Sequence, residues 1–302
     1  MKSLLQLAKS YRVDDGKQFR LEDFDPADTG RIKSKESASP ALDESIARLR
    51  DLQDKLYAQN QWAVLMVLQG MDAAGKDSVI KHVMSGINPQ GCQVYSFKQP
   101  SDEELSHDYL WRSFQRLPER RRIGIFNRSY YEEVLVVRVH PDLLRNEKIP
   151  PSLITRRIWE QRFEEIRRFE RYLTRNGIVV RKFFLYVSKE QQTKRFLARL
   201  EEPEKNWKFS AADIHERQHW NEYMNAYEDA IRNTSTAAAP RYVVPADHKW
   251  FTRLVVASAV VDTLKELDLT YPKVDAQCRR ELDEARKILM LELSGSARIH
   301  PK

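Results

Sequence analysis

Cysteine is scarce in this chain of 302 residues, which contains only Cys92 and Cys278. The two lie far apart, and neither has histidine or cysteine at the spacing of zinc ligands. The sequence therefore gives no indication of a disulfide framework or a zinc site, and we expect a reducing, cytoplasmic setting.

Long apolar runs are also missing, since no stretch approaches the roughly 20 residues that span a bilayer. The N-terminal residues Met1–Gln6 lack the apolar stretch of a signal peptide. We therefore expect a soluble protein without a membrane partner.

The composition is that of a basic globular protein. Hydrophobic residues make up 41% and charged residues 31% of the chain, enough for a sizeable core in one large domain, although the length would permit two. The net charge of +7 and the pI near 9.2 imply a polyanionic partner. Charge alone leaves nucleic acid, an anionic membrane and a phosphate-rich substrate open.

The most specific motif is an apolar run, Val64–Gln69, that leads into the loop 70–78 with the pattern G-x-x-x-x-G-K. Backbone N–H groups can surround an anion there, because glycine permits the sharp turns that such a loop needs. Lys76 adds a positive charge at the start of a helix predicted for residues 76–86. A chance glycine turn is the simpler alternative. The predicted phosphate-binding residues of the loop are Gly70, Met71, Ala73, Ala74, Gly75, Lys76, Asp77 and Ser78.

Two carboxylates distinguish this loop from the common one. Asp77 stands where a serine or threonine usually ligates Mg²⁺. Asp72 would repel phosphate unless a divalent cation lies between them, so we predict that it holds metal or accepts a proton.

Strand and helix patterns alternate along the chain, which predicts an α/β fold with a parallel sheet flanked by helices. Ligands should bind at the carboxyl ends of the strands, where Lys98, Asn127 and Arg128 lie. The predicted strands are 62–69, 93–97, 123–126, 178–187 and 242–244. Two predicted helices start at Pro40 and at Ser101. Three more cover residues 152–176, 189–201 and 248–267. The predicted parts are an N-terminal arm 1–39, a domain 40–270 with a charged insert 202–234, and a C-terminal helix 271–302 that packs on its own domain or on another subunit.

Several cations admit two interpretations. Arg128 either stabilises a transferring phosphoryl group or forms only an ion pair with Glu132 on the next turn. The arginines that precede the third strand either line the track of a long polyanion or form a solvated face. They are Arg116, Arg120, Arg121 and Arg122.

The insert 202–234 mixes basic and aromatic residues. Lys205 and Lys208 are candidates for closing onto phosphates. The helical spacing of Trp220, Tyr223 and Tyr227 favours a packing face over base stacking.

Four blocks in one order resemble the polyphosphate kinase type 2 family over roughly residues 40–270. They are the phosphate loop, Phe126–Glu132, Lys205–Ser210 and Val244–Lys249. The resemblance implies a P-loop kinase fold with a helical lid, Mg²⁺ (with Mn²⁺ as the alternative metal), inorganic polyphosphate as one substrate, and a homodimer or homotetramer. Many family members have aspartate at the position of Asn127, so Asp72 and Glu132 are the candidate metal ligands.

We therefore expect a phosphotransferase that moves phosphoryl groups reversibly between polyphosphate and adenine or guanine nucleotides. Lys76, Arg128, Asp72 and Glu132 are the predicted catalytic residues, and no nucleic-acid partner is expected. An ATP-dependent nucleoside or nucleotide kinase is the first alternative. A nucleic-acid-binding P-loop ATPase is the second.

Overall fold

A six-stranded sheet forms the centre of the structure, a computed structural model that describes residues 4–296. Numbered along the chain, the strands are β1 (Arg12–Val13), β2 (Ala63–Gln69), β3 (Cys92–Ser96), β4 (Ile123–Asn127), β5 (Ile178–Tyr186) and β6 (Arg241–Pro245). Their spatial order is β1-β6-β5-β2-β4-β3, and all neighbours are parallel except β1, which runs antiparallel to β6.

Helices connect and cover the strands. They are α1 (Lys35–Gln59), α2 (Lys76–Val83), α3 (Trp111–Phe114), α4 (Val136–Val139), α5 (Ile158–Arg175), α6 (Lys189–Glu201), α7 (Ala211–Glu216), α8 (Trp220–Thr234), α9 (Lys249–Lys265) and α10 (Ala276–Ser296). The chain falls into two compact units that divide between Leu269 and Thr270, so α10 belongs to the second. None of the helices described between residues 4 and 296 combines the length and apolar character needed to cross a membrane.

The core explains why β2 lies in the middle of the sheet. Every residue of β2 is buried, as expected for a parallel strand covered on both faces. On one face α9 packs against α1 and α2, and on the other α5 packs against α8. This arrangement brings the carboxyl ends of five parallel strands to one edge, where the phosphate loop leaves β2.

Helix starts differ from the prediction more than strands do. Helix α1 begins at Lys35 instead of Pro40, because the Ser34 side chain accepts a hydrogen bond from the Ser37 N–H and caps the helix. The predicted capping box of Ser101 and Glu104 forms, but it starts only a short 3-10 helix, Glu104–Ser106. Helix α5 begins at Ile158 and ends before Gly177, as the glycine predicted.

The N-terminal arm contributes to the sheet, because Arg12 and Val13 pair with β6. The insert 202–234 divides into two parts. Trp220, Tyr223 and Tyr227 on α8 are buried, and the Tyr227 ring stacks on Phe184 with 4.2 Å between centroids. The packing interpretation of these aromatics is confirmed. The lid stays a prediction, and residues 202–219 are the part of the predicted insert that precedes α8; they are called the lid. Residues 1–3 of the predicted arm and 297–302 of the predicted C-terminal helix lie outside the described residues.

Candidate active site

The phosphate loop takes a backbone shape that depends on glycine. Gly70 has φ +156° and Gly75 has φ +109°, in the region that side chains disfavour. A Cβ on Gly70 would lie 2.9 Å from the carbonyl oxygen of Leu185 on β5. Close packing of the loop on the sheet therefore requires glycine at the first position of the motif.

Lys76 lies inside the curl of this loop, at the first residue of α2. Its ammonium donates to the carbonyl oxygens of Gly70 at 2.6 Å and Met71 at 3.3 Å, and the residue is 9% exposed. Burial lowers the pKa of Lys76, and the charge of Asp72 opposes that shift. The loop thus presents one desolvated cation at a helix N-terminus, the arrangement that suits a bound phosphate.

Arg128 joins the end of β4 to the phosphate loop. Its Nη2 donates to Asp72 Oδ1 at 2.7 Å, and its Nη1 lies 3.7 Å from Glu132 Oε2. Gln69 Nε2 in turn donates to Glu132 Oε1 at 2.7 Å. Burial opposes the charge on Arg128, whereas Glu132 and Asp72 raise its pKa. The ion pair with Glu132 is present, and the shorter contact with Asp72 ties the guanidinium to the loop as well.

The first turn of α2 is held by one neighbouring strand, β4, and one neighbouring helix, α9. Asn127 Nδ2 donates to Asp77 Oδ1 at 2.7 Å, and Arg253 Nη2 on α9 donates to Ser78 Oγ at 2.8 Å. These contacts fix the helix start to which phosphate would bind.

A cavity of about 590 Å³ opens in front of the loop. Its lining contains eight cationic side chains. They come from the loop, the segments after β3 and β4, α6, the lid and α9. These side chains are Lys76, Lys98, Arg128, Arg195, Arg199, Lys205, Lys208 and Lys249. Asp72 and Asp77 are the carboxylates in that lining. The surplus of positive charge matches a ligand with several phosphate groups.

Lys249, the first residue of α9, lies among these cations. Burial lowers the pKa of Lys249, and the charges of Arg195, Lys205 and Arg253 lower it further. A bound polyanion would relieve this repulsion.

Most of the predicted site residues meet at this cavity. Those in the lining are Asp72, Ala73, Gly75, Lys76, Asp77, Ser78, Lys98, Asn127, Arg128, Lys205 and Lys208. Gly70, Met71 and Ala74 shape the loop from behind, with the Met71 and Ala74 side chains buried in the core. Glu132 is connected to the loop through Arg128.

The structure does not bring the predicted arginine track to the cavity. Arg120 donates to the Gln61 carbonyl at 2.8 Å, and the Arg121 guanidinium lies over the Tyr57 ring, both before the amino end of β2. Arg122 pairs with Glu119, and Arg116 lies over the Tyr95 ring. Arg120 and Arg121 thus lie at the edge of the sheet opposite the cavity, whereas Arg116 lies over Tyr95, the last residue but one of β3. None of the four arginines lines the cavity, and a polyphosphate track along them stays a prediction.

Three cationic residues of the cavity were not predicted from the sequence as site residues: Arg195 and Arg199 on α6, and Lys249 on α9. Arg195 and Arg199 are four residues apart and so share one face of the helix. This spacing could have indicated a cationic helix face at the site. Lys249 belongs to the block Val244–Lys249, whose place at the end of a strand and the start of a helix also pointed to the ligand edge.

Carboxylates near the loop fit a hard divalent cation that also binds phosphate. Asp72 and Glu132 both lie against the Arg128 guanidinium, and Asp77 lines the same cavity. Within residues 4–296 no group of three or more histidine, cysteine or acidic side chains is arranged to hold a metal. This donor set suits a hard divalent cation that one or two carboxylates hold together with substrate phosphates and water.

Comparisons with known proteins show which proteins the chain is similar to. Residues 32–272 match the family described as Polyphosphate kinase 2 (PPK2). The chain is 51% identical over 283 residues to the ADP-polyphosphate phosphotransferase of Rhodopseudomonas palustris, covering 91% of this chain and 98% of that protein. It is 45% identical over 266 residues to the AMP/ADP-polyphosphate phosphotransferase of Meiothermus ruber, covering 88% and 96%. The crystal structure of Polyphosphate Kinase 2 from Arthrobacter aurescens TC1 superimposes with a TM-score of 0.83 at 39% identity, covering 92% of this chain and 96% of that one.

Proposed function

Because this chain belongs to the polyphosphate kinase 2 family and has its P-loop kinase fold, we propose that it transfers phosphoryl groups between inorganic polyphosphate and nucleotides. AMP and ADP would be converted to ADP and ATP, and the reaction would run in both directions. The observation that carries the proposal is the cavity at the phosphate loop, where eight cationic side chains face two carboxylates. One nucleotide would not need so many cations, whereas a nucleotide together with a polyphosphate chain would.

The names of the relatives support the choice of nucleotides. The relative from Rhodopseudomonas palustris is named for ADP, and that from Meiothermus ruber for both AMP and ADP. We propose that this chain accepts both adenine nucleotides, with guanine nucleotides as further substrates.

The transfer balances without an added base. A terminal oxygen of the acceptor phosphate forms a bond to the terminal phosphorus of polyphosphate, and the bond from that phosphorus to the bridging oxygen breaks. The shortened polyphosphate leaves with the electron pair. Because phosphate nucleophiles are already anionic at neutral pH, positioning and charge neutralisation dominate catalysis.

Each side chain has a proposed part in this step. Lys76 would bridge phosphates from inside the loop, and Arg128 and Lys208 would stabilise the transferred group. Asp72 and Glu132 would hold or orient the metal and the acceptor. The Asp72 and Glu132 carboxylates now pair with the Arg128 guanidinium, so a bound metal ion would replace Arg128 as their cationic partner.

Mg²⁺ is the proposed metal, with Mn²⁺ as the alternative. When bound, it supplies neutralisation of the phosphate charges. Asp72 and Glu132 are the proposed protein ligands.

We place the reaction in the cytoplasm, because Cys92 and Cys278 are both free thiols, as a reducing compartment favours. The family resemblance supports a homodimer or homotetramer, which light scattering on the purified protein would measure.

The test is to supply purified protein with ADP, Mg²⁺ and inorganic polyphosphate as the sole phosphoryl donor. We expect ATP to form, and ADP to form when AMP replaces ADP. If ATP appears only when a nucleoside triphosphate is added, and polyphosphate neither reacts nor competes, the protein is a nucleotide kinase and our proposal is wrong.

A further inference from the structure

Helix α6 contacts the phosphate loop through two side chains. Gln192 Nε2 donates to the carbonyl oxygen of Asp72 at 2.9 Å. Arg195 Nη1 donates to the carbonyl oxygens of Ala73 at 2.8 Å and Ala74 at 2.9 Å. Gln192 and Arg195 are three residues apart and so share one face of the helix. Three consecutive carbonyls of the loop thus accept hydrogen bonds from one helix.

Arg195 also reaches a second strand end. Its Nη2 donates to the carbonyl oxygens of Ala246 and of Asp247, the latter at 3.1 Å. The residue is 8% exposed, and burial lowers its pKa. One planar guanidinium therefore bridges the loop and the end of β6 through four carbonyls, which a single ammonium group cannot do with the same geometry.

Gln192 is oriented by the lid. Its Oε1 accepts a hydrogen bond from Arg217 Nη1 at 3.4 Å, which leaves the amide nitrogen to donate to the loop. Helix α6 also leads directly into the lid at residue 202.

The loop needs such support because its backbone is strained. Ala73 has φ +62°, a left-handed conformation that residues with a Cβ disfavour. An anion site further requires N–H groups that point inward and carbonyl oxygens that point away, since a carbonyl facing the cavity would repel phosphate. The contacts from Gln192 and Arg195 satisfy the carbonyl oxygens of Asp72, Ala73 and Ala74, so these oxygens are held by protein donors on either side of the strained residue.

We propose that Gln192 and Arg195 are positioning residues that keep the phosphate loop in its anion-binding shape before any substrate arrives. The proposal rests on the proposed function only in that the loop binds phosphate. Arg195 lines the cavity as Lys208 does, but both of its terminal nitrogens are committed to carbonyl oxygens. Its effect on substrate therefore passes through the loop.

The test compares Arg195→Lys with the wild type in two measurements that require no turnover. Arg195→Lys keeps the charge but loses the fork that spans the carbonyls. We expect hydrogen–deuterium exchange of amides in residues 70–76 to rise about tenfold or more, and the dissociation constant for tripolyphosphate to rise by a similar factor. Gln192→Leu removes one of the three loop contacts and should give about a threefold change in each.

Lys194→Met is the matched control, because Lys194 lies on the exposed face of α6 and pairs only with Glu190 among the described contacts. It should leave both quantities at wild-type values. Both are measured well below the melting temperature of each variant. If Arg195→Lys does not fold, Gln192→Leu alone decides the question.

Two results would overturn the proposal. In the first, the variants bind tripolyphosphate within about twofold of wild type with unchanged loop exchange. In the second, affinity falls while loop exchange stays at the wild-type level, which would make Arg195 a direct phosphate ligand. Because loop exchange is measured without substrate, the result remains decisive even if polyphosphate proves not to be the substrate.

Discussion

Lys76 is the residue on which the proposed chemistry depends most. Lys76→Ala should lower kcat/KM about a thousandfold or more, a loss of several kcal/mol of transition-state stabilisation, because the variant loses the ammonium group that lies against the Gly70 and Met71 carbonyls inside the loop. Steady-state kinetics with ADP and polyphosphate measures this loss.

The matched control is Lys81→Ala, which removes an exposed lysine from the same helix. It should keep wild-type kinetics. A Lys76→Ala enzyme that retains more than about a tenth of the wild-type kcat/KM would remove Lys76 from the mechanism.

Glu133 makes stability depend on pH. Its carboxylate pairs with Arg162 at 2.9 Å, while Glu147 pairs with the same guanidinium at 2.5 Å. Burial, and then the charge of Glu147, raise the pKa of Glu133 above its ordinary value of 4.5. The folded protein therefore keeps a proton that the unfolded chain releases, and the free energy of unfolding should fall as pH rises from that ordinary value toward the raised one.

Glu133→Gln should flatten this dependence, because the amide does not titrate. We expect the wild type to lose on the order of 1–3 kcal/mol between mildly acidic and mildly alkaline pH, and the variant to lose much less. Urea unfolding at several pH values gives both slopes, and Glu190→Gln at an exposed position should keep the wild-type slope. Equal slopes for Glu133→Gln and wild type would refute this explanation.

Site residues could be predicted from the sequence where they lie close together in one short segment. Gly70, Gly75 and Lys76 lie within seven positions, so their spacing alone indicates phosphate binding. Arg195 and Lys249 reach the same cavity from helices more than a hundred residues away in sequence, and only the packed sheet brings them there. The run of arginines at Arg120 also suggested a polyphosphate site. Whether such residues lie at the ligand edge depends on whether they precede or follow a strand, which the sequence shows less clearly.

At the scale of elements, strands were predicted well because buried parallel strands are continuous apolar runs. The seven buried residues of β2 are the clearest case. Helix starts depend on single hydrogen bonds, so Ser34 moved the start of α1 ahead of Pro40. The arm strand β1 has only two residues, too few for any periodic signal.

The lid is the element that should decide affinity for polyphosphate. Lys208 lines the cavity, and its ammonium lies 4.9 Å from the centre of the Trp207 ring. Lys208→Ala should raise KM for polyphosphate and lower kcat, for a combined loss of about tenfold to a hundredfold, because the lost charge acts on the phosphates. Kinetics at varied polyphosphate concentration measures it.

Arg120→Ala is the informative comparison, since Arg120 lies before the amino end of β2 and outside the cavity lining. It should leave KM for polyphosphate unchanged. Loss of polyphosphate affinity in Arg120→Ala, with Lys208→Ala unaffected, would restore the arginine run as the track.

In the whole molecule, whose net charge is +7, eight cationic side chains and two carboxylates line the cavity at one edge of the sheet. Five parallel strands end there, and cations from α6, α9 and the lid converge on the phosphate loop. Polyphosphate binding should therefore weaken as salt rises, as expected for a polyanion held by many exposed cations.

Polyphosphate should give its terminal phosphoryl group directly to a nucleotide at this cavity. The most direct measurement supplies polyphosphate labelled with ³²P, unlabelled ADP and Mg²⁺ to the purified protein in a single turnover. We predict that label enters the γ position of ATP as fast as ATP forms, and that Lys76→Ala abolishes both. Label recovered only as free phosphate, or ATP formed without label, would contradict the account.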